Sequence, residues 1–439
     1  MNVTYYGQAC TLIEAAGRKI LTDPWLTEGA YFGTWFHTHV LEDLGVSPES
    51  VARRKPDYLF LSHEHHDHVD AESLAAFPRD IPILICKFPS ARFRRHLEGM
   101  GFTNIRELES GRPLDLGESL TVTIFGSAEY TNDSAILVEG EGGVVFNETD
   151  CKLGFADLER VAAKGVDIGF YMFSGANWYP MMYDYAPDEM VERVRRRRAK
   201  LLSGFVNRVR LTRPRVAVPS AGPCSTLDPD MLWLNSPGRG IFIDPQEAVD
   251  AIRAAQLPAE PLYLAATDTW DRSAGFERNT PENIRENRNE YLARASSVQA
   301  PRIQSRRAAE PPAGADLAER LVAYFNRHVG AQSPEIRRRI GAKVALEVEG
   351  PQGGRWTVDF TSPGPDFVRE GVASDWTYRV QVEDKLIDPF VSGREEFLED
   401  LFLSLRVRLS RRPEEYNDPL YNFFYDPDPA RLGGWYAVH

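Results

Sequence analysis

The sequence predicts an α/β fold for the larger, N-terminal part of the chain and a smaller α+β domain after it. The first observation is an apolar, strand-like run, residues 58–61, that ends at once in a cluster of histidines and an aspartate. The second is the alternation of strand-length apolar runs with amphipathic helical patterns over residues 70–211. The third is a segment rich in Pro, Ala, Ser and Arg, residues 295–315, after which the order of elements changes.

Composition narrows the class of protein. The 439 residues are 43% hydrophobic and 26% charged, which is typical of a globular chain of two or three domains. A formal net charge of −13 argues against nucleic-acid binding, which depends on clustered Lys and Arg. The first residues show no basic flank followed by an apolar core, and no run approaches the roughly 20 apolar residues of a membrane span. We therefore expect a cytoplasmic enzyme that binds no nucleic acid and no membrane.

The cysteines indicate neither a zinc site nor an iron–sulfur cluster. Cys10, Cys86, Cys151 and Cys224 are widely spaced, and none begins a Cys-x-x-Cys or Cys-x-His pair. Reduced, mostly buried thiols are the expectation.

The N-terminal segment predicts a sheet followed by an aromatic loop. Residues 3–7 and 11–14 are predicted to form a hairpin, and residues 19–25 a strand that ends in a turn at Asp23. Residues 29–39 are rich in aromatic side chains without a clear period, so Trp35 is predicted in a pocket wall or a lid. His37 and His39 are spaced like a ligand pair, but nothing nearby in the sequence completes a site.

The histidine cluster predicts two adjacent metal ions. His63 and His65 follow a strand end with a period of two, which points both imidazoles to one side. Asp67 and His68, in the next turn, can face a second point close by. Imidazole and carboxylate are ligands for zinc, iron and manganese. His66 is out of phase with these residues and is not predicted as a ligand.

A second predicted strand end carries a carboxylate. Residues 120–125 and 134–139 form strands joined by the loop 126–133, and residues 144–151 form the next strand, which contains Asp150. A buried, unpaired carboxylate costs on the order of several kcal/mol. Asp150 is therefore predicted to bind metal.

Two later segments each allow two interpretations. Trp178, Tyr179 and Tyr183 lie in an aromatic loop. Their side chains either line a substrate pocket or form ordinary packing contacts under the loop. The helix predicted over residues 187–211 carries a run of Arg and Lys. These cations form either a solvated face or a site for a phosphate-bearing group, such as a nucleotide, coenzyme A or a carrier arm.

The His-x-His-x-Asp-His pattern at His63 to His68 resembles the signature of the metallo-β-lactamase superfamily. The resemblance implies an αββα sandwich with a dinuclear site at one edge of its two sheets. It also implies that Asp23 accepts a hydrogen bond from a ligating histidine, that Asp150 bridges the metals, and that the third and last ligands fall at Glu129 and Asp228.

A closer resemblance covers about residues 1–270. Residues 147–151, 213–215 and 219–222, with Asp228, are similar to the metallo-β-lactamase part of CMP-N-acetylneuraminic acid hydroxylases, without their Rieske domain. Glu129 and Asp228 stand where those relatives carry histidine. The glutamate exchange resembles metallo-β-lactamase-fold diiron monooxygenases.

The resemblance implies a carboxylate-rich ligand set. It places His63, His65 and Glu129 on one metal and Asp67, His68 and Asp228 on the other, with Asp150 between them. Glu129 and Asp150 are also the residues expected to take part in catalysis.

The ligand set favours oxygen chemistry, since carboxylates stabilise higher oxidation states of iron, while hydrolytic zinc sites rely on neutral imidazoles. The expected activity is a diiron monooxygenase that hydroxylates an unactivated carbon of a bulky natural-product intermediate, which a coenzyme A or carrier arm could hold. It would use O2 and an external electron donor or reductase. A binuclear hydrolase of a phosphoester, lactone or amide with two Zn or Mn ions is the alternative, and a metal-stabilised scaffold is a third.

The C-terminal third predicts a separate unit. We expect a catalytic domain over residues 1–294, a linker over 295–315, an α+β domain over 316–410 and an aromatic tail over 411–439 packed on the body. The strand pattern of residues 316–410 is loosely similar to sterol-carrier-protein-like domains. Such a unit offers an apolar tunnel or serves in capping or dimerisation, which makes a homodimer one expectation.

Overall fold

The computed structural model describes residues 1–175, 177–281, 288–395 and 398–438. It divides the chain into two compact units. The first comprises Met1–Ala176 and Val191–Pro301, and the second comprises Asn177–Met190 and Arg302–His439.

The first unit contains most of the strands described. In chain order these are β1 Asn2–Gly7, β2 Cys10–Ala15, β3 Arg18–Thr22, β4 Tyr58–Phe60, β5 Ile83–Cys86, β6 Ile105–Leu108, β7 Pro113–Asp115, β8 Thr121–Gly126, β9 Ser134–Gly140, β10 Gly143–Asn147, β11 Ile168–Met172, β12 Val216–Ser220, β13 Glu260–Pro261, β14 Thr269–Asp271 and β15 Gly275–Glu277.

Helices of several lengths accompany these strands. They are α1 Ala30–Gly33, α2 Pro48–Ala52, α3 Ala71–Ala75, α4 Arg92–Gly99, α5 Phe155–Ala162, α6 Pro187–Thr212, α7 Pro245–Ala254 and α8 Arg288–Ala309, with 3-10 turns at Leu41–Leu44 and Leu232–Asn235.

These strands form two sheets packed face to face. One has the order β15-β14-β1-β2-β3-β4-β5-β6 and the other β13-β12-β11-β10-β9-β8-β7. Apolar side chains from both sheets, such as Ile20, Phe60 and Ile124, form one buried core between them. Two further cores lie on the outer faces, where α3 and α4 cover one sheet and α5, α6 and α7 cover the other. The predicted αββα sandwich is confirmed.

The parallel strands of this sandwich create its functional edge. β3 pairs in parallel with β4, so Asp23 and Ser62 follow neighbouring strand ends. In the other sheet β10, β11 and β12 are also parallel, so the chain after Asn147 leaves from the same end as the chain after Ser220. Carboxyl ends of parallel strands meet at one edge, which is where ligands bind in such sheets.

The second unit is built on a five-stranded sheet. Its strands are β16 Lys343–Glu349, β17 Gly354–Asp359, β18 Val368–Glu370, β19 Tyr378–Glu383 and β20 Val407–Arg411, in the order β18-β17-β16-β19-β20. Its helices are α9 Leu317–Ala331, α10 Pro334–Ile340, α11 Asp384–Val391, α12 Leu398–Leu403, α13 Asp418–Tyr425 and α14 Pro429–Val438. The α+β order expected after residue 316 is present, and the aromatic tail supplies α13 and α14.

Two expectations about chain organisation need correction. Most of the predicted linker, residues 295–315, is helical, because α8 runs through Pro301 to Ala309. Its Ala, Arg and Gln residues have high helix propensity, which outweighs the single proline. The boundary between the units falls at Pro301, inside that helix.

The aromatic loop after β11 belongs to the second unit. The ring of Trp178 lies 5.1 Å from that of Phe402, and the guanidinium of Arg411 lies 5.0 Å from the ring of Tyr179. Tyr183 shares a short hydrogen bond with Tyr421. Each of these three aromatic side chains therefore contacts another residue of the second unit. No helix in the described ranges is long and apolar enough to cross a membrane.

Candidate metal centre

The histidine cluster begins where β4 ends and is held from the neighbouring strand. The backbone N–H and the hydroxyl of Ser62 each donate to the carboxylate of Asp23 at 2.7 Å. Nδ1 of His68 lies 2.9 Å from Oδ2 of the same carboxylate. A neutral His68 therefore carries its proton on Nδ1 and turns Nε2 toward the cluster, the arrangement in which an outer carboxylate orients a metal-binding imidazole.

Five of the predicted ligands lie together. Nε2 of His63 lies 2.9 Å from Nδ1 of His65. Nε2 of His68 lies 3.5 Å from Oδ1 of Asp150 and 3.8 Å from Oδ2 of Asp67. His63, Asp67 and His68 are buried, whereas His65 and Asp150 are partly exposed.

The donor atoms fit a metal ion. Ligand atoms of His63, His68 and Asp150 all lie within 4.8 Å of one another. Oδ1 of Asp150 is buried and accepts no hydrogen bond from the residues that the structure describes. Asp67 and Asp150 bring two carboxylates to this cluster, and a divalent cation would offset their negative charge.

Asp133 joins the cluster, although the sequence pointed to Glu129. Oδ1 of Asp133 lies 4.0 Å from Nε2 of His63. The side chain of Glu129 is 48% exposed and pairs with Lys152 at 2.6 Å. The loop closes through a hydrogen bond from the Ser127 N–H to the Asp133 carbonyl, which leaves position 129 at the exposed part of the loop. Asp133 directly precedes β9, whereas the strand-end pattern used for Asp150 selects residues that follow a strand.

Asp228 lies in the loop that follows β12. It is buried, and its Oδ1 accepts a hydrogen bond from the backbone N–H of Asp230 at 2.9 Å.

The electrostatics of the two buried histidines differ. Burial, together with the imidazoles of His68 and His65, holds the pKa of His63 well below its ordinary value. Burial also acts to lower the pKa of His68, but the carboxylates of Asp67, Asp150 and Asp23 outweigh it and leave that pKa well above its ordinary value. His63 is therefore neutral, as metal binding requires, while His68 lies where positive charge is most favoured.

The acidic side chains respond to the same burial. Burial raises the pKa of Asp67 and raises that of Asp133 to about 6. Both shifts arise because burial in this pocket disfavours a negative charge. A bound cation would reverse them.

The aromatic stretch over residues 29–39 contacts the metal cluster through Tyr31. The hydroxyl of Tyr31 donates to Oδ1 of Asp67 at 2.6 Å, a contact that no sequence pattern indicated. Trp35 is buried behind it, with ring centroids 4.7 Å apart. His37 stacks on Trp25 at 4.0 Å, and burial lowers its pKa to about 3. Among the described residues, the three-residue metal cluster contains neither His37 nor His39.

Two polar networks support the ligand loops. Glu64, between the first two histidines, is buried and accepts hydrogen bonds from Arg92 and from Asn132, the latter at 3.2 Å. Glu148 is buried next to the Asp150 turn and accepts from Nε of Arg208 at 2.8 Å. Burial nevertheless raises the pKa of Glu148 to about 7.

Comparison with known proteins assigns the fold of this region. Residues 2–168 match the family model of the beta-lactamase superfamily domain. The first unit thus carries a β-lactamase superfamily domain. This confirms the resemblance drawn from the His-x-His-x-Asp-His pattern and agrees with the two packed sheets.

The relatives of this chain include proteins named as iron–sulfur proteins and as hydroxylases. A Mycolicibacterium smegmatis protein with the provisional name Rieske 2Fe-2S iron-sulfur protein is 29% identical over 464 residues, covering 100% of this chain and 87% of that protein. The cytidine monophosphate-N-acetylneuraminic acid hydroxylase of Danio rerio is 25% identical over 283 residues. That alignment covers 60% of this chain and 46% of the hydroxylase.

A solved structure with a related description is CmlA, a diiron beta-hydroxylase from Streptomyces venezuelae. It aligns with 20% identity and a TM-score of 0.38, covering 62% of this chain and 54% of CmlA. The metallo hydrolase Igni18 from Ignicoccus hospitalis aligns with 18% identity and a TM-score of 0.41, covering 61% and 96%. Neither likeness bears on the chemistry of this site.

Proposed function

We propose that this chain is a non-haem diiron monooxygenase that hydroxylates a carbon of a small-molecule substrate. The observation that carries the proposal is the donor set, in which the imidazoles of His63, His65 and His68 lie beside the carboxylates of Asp67, Asp133 and Asp150. Such a set suits iron in higher oxidation states better than a hydrolytic zinc ion, which relies on neutral ligands. The name of the Danio rerio relative, a hydroxylase, supports the same reaction class.

The residues would divide the ligands between two ions. His63, His65 and a carboxylate from the loop before β9 would hold one, Asp67 and His68 the other, and Asp150 would lie between them. Asp228 stays a proposed ligand of the second ion. When bound, iron supplies the reductive activation of O2. The protein positions the donors: Asp23 holds the ring of His68, and burial of His63 and His68 keeps water from one side of the cluster.

The reaction needs two electrons from outside these residues. Hydroxylation consumes the substrate C–H bond, O2, two electrons and two protons, and yields an alcohol and water. A Rieske cluster is held by two cysteines and two histidines. All four cysteines in these 439 residues are buried, and none has a histidine two residues on. The proposal therefore includes a separate electron donor or reductase.

The substrate is proposed only as a small molecule. Trp178, Tyr179 and Tyr183 suggested a bulky natural-product intermediate, but these side chains pack within the second unit. The arginines of α6 are partly neutralised, since Glu192 pairs with Arg195 at 2.7 Å and with Arg196 at 2.5 Å on the exposed face. A coenzyme A or carrier attachment thus rests on the sequence alone.

Metal analysis tests the proposal directly. Protein expressed without metal supplementation is assayed for iron, zinc and manganese per chain, and O2 uptake is followed with a chemical reductant. We expect about two irons and reductant-dependent O2 uptake, both lost in Asp150→Ala with its secondary structure retained. About two zincs without O2 uptake would contradict the oxygenase and support a binuclear hydrolase. Absence of bound metal in the wild type would contradict both.

A further inference from the structure

The aromatic stretch over residues 29–39 has an unusual backbone conformation. Gly29, Tyr31, Phe32 and Gly33 all have positive φ, at 90°, 50°, 59° and 75°. Two of these four residues are large aromatic ones, for which a left-handed conformation is strained. Such conformations persist only where the surrounding structure enforces them, and they concentrate at functional sites.

The surrounding structure enforces this turn from both sides. Ala30 and Trp35 form an antiparallel bridge across it, and Phe36 exchanges two backbone hydrogen bonds of 2.8 Å with Ser225. Trp35 is buried between Tyr31 and Phe242, with ring centroids 4.7 and 6.3 Å away. The turn is therefore tied to the loop that follows β12.

The turn places one polar group on the metal cluster. The Tyr31 side chain is 3% exposed, and its hydroxyl donates to Oδ1 of Asp67 at 2.6 Å. Oδ2 of Asp67 faces Nε2 of His68 at 3.8 Å. The phenol thus occupies one carboxylate oxygen and leaves the other directed at the cluster.

We propose that Tyr31 is a positioning residue for the metal centre, which fixes Asp67 so that a single oxygen is offered to the ion shared with His68. The inference rests on the proposed metal site. Loss of a partner that orients a metal ligand typically costs about 10–100-fold in metal affinity. Because Asp67 is assigned to one of the two ions, the loss falls on one binding event and not on both.

Stepwise Co2+ titration of the metal-free protein tests this, with the visible absorption of the bound ion as the signal. Tyr31→Phe should retain one affinity and weaken the other by about 10–100-fold, with a changed absorption spectrum for that ion. Tyr291→Phe is the matched control, because the Tyr291 hydroxyl also donates to an aspartate, Asp43, at 3.0 Å, outside the metal cluster. Unfolding temperatures of both metal-free variants report any general loss of stability.

Each outcome separates the two proposals. Wild-type protein that takes up no Co2+ overturns the metal site itself. If the wild-type protein shows two binding events and Tyr31→Phe titrates like Tyr291→Phe, the role of Tyr31 is overturned and the metal site is not. Equal weakening of both events together with a lower unfolding temperature than the control also overturns it, since that pattern indicates a structural residue.

Discussion

The buried carboxylates at this site differ in the partners that stabilise their negative charge. Asp67 and Asp133 have raised pKa values because burial disfavours the carboxylate, yet both lie beside imidazoles that a cation would share with them. Asp23 has more hydrogen-bond partners, since its carboxylate accepts hydrogen bonds from the backbone N–H and the hydroxyl of Ser62 and lies beside His68. Asp67 and Asp133 each accept a side-chain hydrogen bond, from Tyr31 and Thr131, and each also has a carboxylate oxygen facing an imidazole of the cluster.

Two substitutions distinguish Asp133 from Glu129 as the carboxylate that would bind metal beside His63. Asp133→Asn should weaken metal binding by at least about 10-fold, because it removes a buried charge 4.0 Å from Nε2 of His63. Glu129→Gln should change metal affinity less than about 2-fold, because an exposed ion pair contributes little. Competition with a chelator measures both constants. Weakening by Glu129→Gln alone would restore the glutamate predicted from the sequence.

The secondary-structure elements bring the ligands together through parallel pairing. β3 and β4 in one sheet, and β10 to β12 in the other, end at the same edge of the sandwich. Asn147, at the end of β10, joins the two sheets there. Its Nδ2 donates to the carbonyl of Ala9 at 3.0 Å and lies 3.1 Å from Oγ1 of Thr22. This buried amide fixes the spacing between the sheets beside the metal cluster.

Removal of this link should destabilise the first unit. Asn147→Ala leaves buried polar atoms with fewer partners, and we expect the free energy of unfolding to fall by about 1–3 kcal/mol. Asn104→Ala is the control, since the Asn104 amide donates to the Asp80 carbonyl near the surface, and it should change stability by less than about 0.5 kcal/mol. Urea unfolding of the metal-free proteins gives both values. Equal decreases in the free energy of unfolding of the two variants would mean that the hydrogen bonds of Asn147 between the sheets stabilise the protein no more than the surface hydrogen bond of Asn104 does.

The whole molecule separates the metal chemistry from the C-terminal third of the chain. Each residue of the metal cluster belongs to the first unit, and the second unit has its own sheet and its own buried core residues. Binding stabilises the part of a protein that forms the site. Metal therefore acts on one unit of this chain.

Metal removal should be visible in only that unit. We expect chelation to speed amide hydrogen exchange in residues 62–68 and 148–151, because a bound ion ties these loops together, and to leave β16 to β20 unchanged. Hydrogen–deuterium exchange followed by mass spectrometry resolves the peptides. Asp150→Asn protein should not respond to chelation. Unchanged exchange in both ligand loops of the wild type would contradict binding at this cluster.

The sequence by itself determined the superfamily of the first unit and indicated His63, His65, Asp67, His68 and Asp150, which the structure brings together. These residues follow strands, and a strand can be recognised from the apolar pattern of its own short stretch of sequence. The conformation of a loop, and the unit to which a segment belongs, depend instead on contacts with residues far away in the chain. Only the tertiary structure could show that the carboxylate of Asp133 lies near His63, that Tyr31 donates to Asp67, and that Trp178 packs in the second unit.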